Sequence, residues 1–299
     1  MTTTLELHAD AAGFLAQAAD HLGLDPVLNT VVATHAEREA REGRTADEGL
    51  PHWYAVARAA DGSVAGVAMR TAPFAPYPPY LLPMPEDAAV GLARLLHERG
   101  ERVGGVNGAL PAARTFADEL ARLAGGVVTV RMHTRLFEAR AVRVPPTPGG
   151  ALRVATEPDA DLALAWFSAF HADADAQAGR SAGHAEEPVT ADTVLGRLRA
   201  GLLFVWEVDG VPVHLTGQNP PSYGAVRIGP VYTPRAHRGR GYAGAAVAEL
   251  SRRALADRLR PCLFTDQANP VSNGVYERVG YEPVADMVSL LVGDPVPDP

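Results

Sequence analysis

The stretch Val226 to Ala246, VRIGPVYTPRAHRGRGYAGAA, reads as a strand that runs into a glycine-rich turn and then opens a helix. Val226, Ile228, Val231 and Tyr232 have the β-branched and aromatic character of a strand, and Pro234 ends it. Gly239, Gly241 and Gly244 interrupt an arginine-rich turn. Beyond the turn, Ala243, Val247, Leu250 and Ala254 fall at spacings of four, three and four, one apolar stripe at the helical period. Such a turn leaves the first amides of the helix unpaired and pointing outward, with the positive end of the helix dipole behind them, which suits a phosphate. Arg238 and Arg240 add countercharge there.

Outward from this stretch, 299 residues with 47% apolar content are enough for two domains of ordinary size. The net charge of −8 gives no reason to expect binding to nucleic acid or to an anionic membrane. The amino terminus, MTTTLELHADAAGF, has no basic region followed by an apolar run, and no segment has the length of a membrane span, so a cytoplasmic protein is expected. Every basic residue other than histidine is arginine, which removes a phosphate-loop lysine and a Schiff-base nucleophile at once. Cys262, the single cysteine, excludes an internal disulfide and reads as a buried strand residue. The histidines show no metal-ligand spacing; His171, Asp173 and Asp175 read as a solvated loop.

Read in order, residues 1 to 50 are helical, with runs from Ala11 to Leu22 and Pro26 to Ala40. A hairpin spans Trp53 to Arg70 about Asp61-Gly62, and the proline-rich Thr71 to Pro85 reads as a rigid loop or irregular edge strand. Helices follow at Glu86 to Arg99 and Ala112 to Leu123, with a short strand between them at Val103 to Asn107. Val127 to Val144 reads as a strand pair, and Pro145 to Gly150 as a linker dividing domains 1–148 and 149–299. The second half repeats the order: helices at Asp159 to Phe170 and Ala191 to Ala200, a hairpin from Leu203 to Gly217, the glycine turn with its helix, the strand to Asp266, and a helix from Pro270 to Val279 stopped by Gly280. Where the second half has Arg238 to Gly244, the first has Pro83 to Asp87, with two carboxylates that repel a pyrophosphate. The first copy is therefore expected not to bind a pyrophosphate group.

Two motifs carry a family resemblance. Arg238, Gly241 and Ala243 fit R/Q-x-x-G-x-G/A after VYTP, and LFTDQANPVSNGVYERVGY (Leu263 to Tyr281) places Asn269, Tyr276, Gly280 and Tyr281 where a closing motif needs them. Together they resemble the GNAT superfamily of N-acetyltransferases, in a tandem form with a degenerate amino-terminal half. The resemblance implies an α/β (α+β) fold of two tandem domains, each a mixed, mostly antiparallel sheet flanked by helices. It also implies acetyl-CoA as co-substrate, held by Val231, Tyr232, Thr233, Arg238, Gly239, Arg240, Gly241, Tyr242, Ala243, Gly244, Asn269 and Tyr276. In this reading Asn269 holds the pantetheine arm, a backbone N–H near Val231 and Tyr232 polarises the thioester carbonyl, and Tyr276 is the general acid. The acceptor is a primary amine in direct attack, and the protein is a monomer or homodimer.

No base stands out. Gly224 to Tyr232 has no carboxylate, and Glu207, Asp266, His171, His184, Glu186 and Glu187 are each better read as solvated or structural. Phe167, Trp206 and the aromatics from Phe74 to Tyr80 are candidates for an acceptor pocket. Two alternatives stay open. Gly239, Gly241 and Gly244 also spell G-x-G-x-x-G, which a dinucleotide-binding fold would use, although Pro234 to Arg238 separate it from the strand. The missing strand carboxylate also suits an acyl-CoA sensor or scaffold without turnover.

Overall fold

One order of elements occurs twice along the chain. The computed structural model describes residues 3–43, 51–72, 75–177 and 189–293. The first run is β1 (Thr4–His8), α1 (Ala11–Leu24), α2 (Thr30–Glu42), β2 (Trp53–Arg58), β3 (Val64–Arg70), β4 (Tyr80–Leu81), α3 (Glu86–Glu98), β5 (Gly105–Ala109), α4 (Ala112–Ala124) and β6 (Val127–Ala139). The second is β7 (Ala151–Val154), α5 (Ala160–Gln177), α6 (Ala191–Arg199), β8 (Leu203–Val208), β9 (Val211–Gln218), β10 (Ala225–Tyr232), α7 (Tyr242–Ala256), β11 (Arg260–Asp266), α8 (Pro270–Val279) and β12 (Tyr281–Gly293). The runs match element for element, a tandem repeat of one α/β pattern. Gly125 and Gly280 end corresponding helices, α4 and α8, in the left-handed conformation that glycine adopts without penalty.

Contacts divide the chain into two units, one holding the described residues up to 135 together with 285–293, the other 136–284. The first unit has strand order β1-β2-β3-β4-β5-β12, and the second β7-β8-β9-β10-β11-β6. Met287 to Leu291 of β12 pair antiparallel with β5 in the first unit, and Phe137 and Ala139 of β6 lie in the core of the second. The second unit thus holds only the end of β6, residues 136–139, from the first run, and the first unit holds residues 285–293 of β12 from the second. For that reason the units part at other places than the Pro145 to Gly150 linker, where the repeat itself turns over. β4 pairs parallel with β5, and β10 with β11, while the hairpin and edge pairs are antiparallel. A mixed sheet of this kind is not the doubly wound parallel sheet that the G-x-G-x-x-G alternative requires.

Several expectations need correction. Thr4 to His8 is a strand rather than part of a helical region, and Val127 to Ala139 is one long strand rather than a pair. Tyr80 and Leu81 are an interior strand, pairing with both β3 and β5. Helix α5 runs on to Gln177, so Asp173 lies in a helix and not in a loop. Phe74, His184, Glu186 and Glu187 lie outside the described residues.

In the first unit α3 and α4 lay Leu92, Leu96, Phe116 and Leu120 on Trp53, Leu81, Val106 and Leu290. Each such side chain contributes roughly 1.5–3 kcal/mol when fully buried. In the second unit α7 and α8 bring Val247, Leu250, Tyr276 and Val279 against Phe204, Ile228 and Leu263. Phe167, Val194 and Leu198 of α5 and α6 pack on Leu203, Val205 and Leu215.

An ion-pair cluster on α3 and α4 makes the first unit acid-sensitive. Glu119 accepts from Arg122 Nε at 2.7 Å and from Arg94 Nε at 2.6 Å, and these contacts hold its carboxyl down at about 2. A depressed folded-state pKa gives stability that is present above the unfolded value and disappears as pH falls through the folded one. The arginines are exposed, so solvent screening limits the contribution to the order of 1 kcal/mol. Glu119→Gln is expected to lower urea-unfolding stability by about that much at pH 7. Near pH 2 the variant and the wild type should unfold alike.

Candidate functional site

The second unit contains a cavity of about 390 Å³ lined by the end of β10, the glycine turn, the first turn of α7, α8, and Phe170 and Asp173 of α5. All twelve residues singled out for the cofactor line it. The turn folds as the glycines dictate. Residues Arg235 to His237 form a single 3₁₀ turn, then Gly239 and Gly241 take φ of 77° and 88°, where a side chain is strained. A Cβ on either glycine would meet nothing within 4 Å, so these positions are open on the side a ligand would approach. Among the described residues no side chain caps α7, and its first intrahelical bond is Ala245 N–H to Gly241 O at 3.0 Å. The amides before it are free to bind an anion.

At the other side of the cavity β10 and β11 part. Their parallel register ends at Arg227↔Cys262, although β10 continues to Tyr232 and β11 to Asp266. On its other edge β10 shifts register against β9 between Ile228 and Val231. Arg197 of α6 donates to Gly229 O at 3.0 Å and Gln218 O at 3.2 Å, holding two carbonyls at the irregularity. Pro230 has no amide hydrogen, and the N–H groups of Val231 and Tyr232 point to opposite edges of β10, so one of these two supplies the backbone donor facing the splay.

Tyr276 is buried in the cavity wall, its ring edge-on to Tyr281 with centroids 6.1 Å apart. Burial pushes its hydroxyl pKa upward, so the phenol stays protonated throughout the ordinary pH range. Asn269 caps α8, its Oδ1 accepting from Ser272 N–H at 3.1 Å. That oxygen serves the helix rather than reaching out to an arm, although the residue does line the cavity.

Arg238 differs from the free countercharge expected. Its Nε donates to Thr233 O at 2.9 Å, and one terminal nitrogen donates to Asp173 Oδ2 at 2.6 Å. Asp173 also accepts from Arg235 at 2.6 Å and from the Tyr232 hydroxyl at 3.0 Å. Burial pushes the Asp173 carboxyl upward, but the Arg235, Tyr232 and Arg238 contacts outweigh it and leave the pKa below the usual value. One carboxylate therefore staples α5 to the end of β10 and to the turn. Arg240 is exposed beside the open amides.

Among the candidate bases, Glu207 accepts from Arg153 at 2.6 Å and Asp266 accepts the Ala268 amide at 2.9 Å, both structural roles. The side chain of His171 lies outside the described residues. Phe167 and Trp206 are core residues, and the aromatics that line the cavity are Phe170, Tyr232, Tyr242 and Tyr276. Phe170 follows Phe167 on the apolar side of α5. Asp173, one turn further, carried no sequence signal because the alternating Ala and Asp of HADADA has no helical stripe. Among the described residues no group of three metal-ligating side chains gathers, and no helix is long and apolar enough to cross a membrane.

This arrangement can grip a diphosphate at one end and polarise a carbonyl at the splayed strand. Residues 166–281 match the acetyltransferase (GNAT) family. No curated protein matches the chain in sequence. A GNAT-family acetyltransferase from Colwellia psychrerythraea superposes with a TM-score of 0.56 at 10% identity, covering 97% of this chain and 99% of its own. A GCN5-related N-acetyltransferase from Sphaerobacter thermophilus gives 0.56 at 17% identity, covering 99% and 97%. A Drosophila protein gives 0.62 at 14% identity, covering 97% and 98%. At such identities the likeness is one of fold, extending over nearly the whole chain. Residues 166–281 thus resemble the acetyltransferase (GNAT) family, within a fold that solved GNAT acetyltransferases share over 97% or more of this chain.

Proposed function

We propose that the chain is an N-acetyltransferase that binds acetyl-CoA in the second repeat, 149–299, and passes the acetyl group to a primary amine by direct attack, the first repeat, 1–148, being silent. The observation that carries this reading is the first turn of α7, uncapped among the described residues, which follows two positive-φ glycines and opens into the cavity that Tyr276 also lines. Acetyl-CoA supplies an activated acetyl thioester. The amides at Gly241 to Gly244 and Arg240 hold its diphosphate, the Val231 or Tyr232 N–H polarises the acetyl carbonyl, and the Tyr276 hydroxyl gives its proton to the departing sulfur. The attacking amine loses its proton through water; Asp173 and His237 also line the cavity, but Asp173 is held by Arg235, Arg238 and the Tyr232 hydroxyl, and no base is assigned.

Acetyl-CoA at a hundredfold excess over Kd is expected to stabilise the protein by ~2.7 kcal/mol. That corresponds to a rise in Tm of about 5–10 °C for a domain of this size. NAD(H) should leave Tm unchanged. Thiol release, followed with a panel of small amines, amino-terminal peptides and aminoglycosides, then separates the enzyme from an acyl-CoA sensor. Stabilisation without thiol release from any amine would favour the sensor.

A further inference from the structure

We propose that the Thr233 side-chain hydroxyl donates a hydrogen bond to a diphosphate oxygen of the bound coenzyme, and that His214, buried behind it, is the positioning residue that aims that proton. The proposal rests on the acetyl-CoA reading of the cavity. Thr233 lines the cavity between the end of β10 and the turn. His214, on β9, is wholly shielded from solvent, and its Nδ1 lies 2.8 Å from Thr233 Oγ1.

The direction of that bond follows from the far side of the ring. His214 Nε2 is buried and has no hydrogen-bond partner among the described residues. If Thr233 donated to Nδ1, the neutral ring would carry its proton on Nε2 and bury an N–H with no acceptor. A buried orphan donor is rarer in folded proteins than an under-used acceptor. An imidazolium would be worse, burying the same orphan donor together with an unpaired charge. Burial holds the ring neutral, its pKa pushed down to about 3. The proton therefore sits on Nδ1 and is donated to Thr233 Oγ1.

A hydroxyl that accepts one bond still has its own proton to give. The Thr233 carbonyl is already occupied by Arg238, and Thr233 Oγ1 has no other partner among the described residues. The free proton points to the cavity, next to the uncapped amides of α7. At that place the ligand group able to accept it is an anionic phosphate oxygen.

Two measurements test this. In protein labelled with ¹⁵N-histidine, long-range ¹H–¹⁵N spectra at pH 7 should show the His214 ring neutral with its proton on Nδ1, the signal being assigned by its loss in His214→Gln. By calorimetry with coenzyme A, Thr233→Val should raise Kd about ten- to a hundredfold, as for loss of one hydrogen bond to a charged group. Thr233→Ser should stay within about threefold of wild type, because it keeps the hydroxyl. A proton on Nε2, or Thr233→Val binding coenzyme A as wild type does, overturns the proposal and leaves the cofactor reading standing. Wild type failing to bind coenzyme A removes both. If Thr233→Val does not fold, the tautomer and the serine variant decide.

Discussion

With aspartate at position 241, coenzyme A binding is expected to fall more than about a hundredfold while the second unit stays folded. Gly241 has a φ of 88°, and a Cβ there would have open space around it. An L-residue pays about 1–2 kcal/mol in the left-handed region, with aspartate and asparagine the most tolerant, so the backbone can hold the change. The new carboxylate would stand beside the amides that grip the diphosphate. At about 5 Å and an effective dielectric between protein surface and water, its repulsion of two negative charges is on the order of 2–3 kcal/mol, before any amides it captures are counted. Gly241→Asn, equal in backbone demand and uncharged, should lose far less. Calorimetry with coenzyme A, with thermal melts as the folding control, reads the difference. Binding by Gly241→Asp within threefold of wild type would remove the turn as the anion site.

The first repeat already contains that experiment. Its corresponding helix, α3, begins with Glu86 and Asp87, and Asp87 accepts the amides of Thr3 at 3.0 Å and Ala88 at 3.1 Å. A carboxylate of the chain's own thus stands at that helix start. Met84 meanwhile occupies the space over Gly66, where a Cβ would stand 2.3 Å from the methionine Cβ.

That contrast was legible in the sequence because charge, glycine and helical spacing are local properties. The turn from Arg238 to Gly244, α7, α8 and both hairpins could be read for the same reason: a Gly after an Asp, or an apolar residue every third or fourth place, acts on its neighbours alone. The exchange of β6 and β12 could not be read. No residue in Val127 to Ala139 records which unit it will pair in, and the pairing partners are more than a hundred residues away, as the Glu138 to Arg260 bond at 2.7 Å illustrates. Val127 to Ala139 has no turn residue inside it, which is the local mark of one long strand rather than a pair.

In the site, the residues that touch the cavity were legible and their partners were not. Arg238 could be placed at the turn, but its neutralisation by Asp173 depends on α5 continuing past its last apolar residue. Asn269 could be placed after β11, and its capping of α8 is the ordinary task of an asparagine before a proline-led helix. His214 gave no signal, because a histidine in a strand is marked only by what it faces.

Tyr276→Phe is expected to lower kcat about a hundredfold or more, the usual contribution of a positioned general acid, with the KM for acetyl-CoA within about threefold. Phenylalanine keeps the ring that packs against Tyr281 and the α7 and α8 core, so Tm should hardly move. Tyr281→Phe is the matched control. Its hydroxyl bonds Ser251 Oγ at 2.7 Å inside the core and does not line the cavity, so its loss should cost about 1 kcal/mol of stability and leave turnover intact. The pH profile adds a second check. Burial raises the Tyr276 pKa, so the acid form persists upward in pH, and wild-type kcat should not decline on the alkaline side until above the ordinary phenol value of about 10. A decline setting in below that value would assign the proton to another group. Wild-type turnover in Tyr276→Phe would reduce the tyrosine to part of the cavity wall, since nothing in its packing differs between the two side chains except the proton it can give.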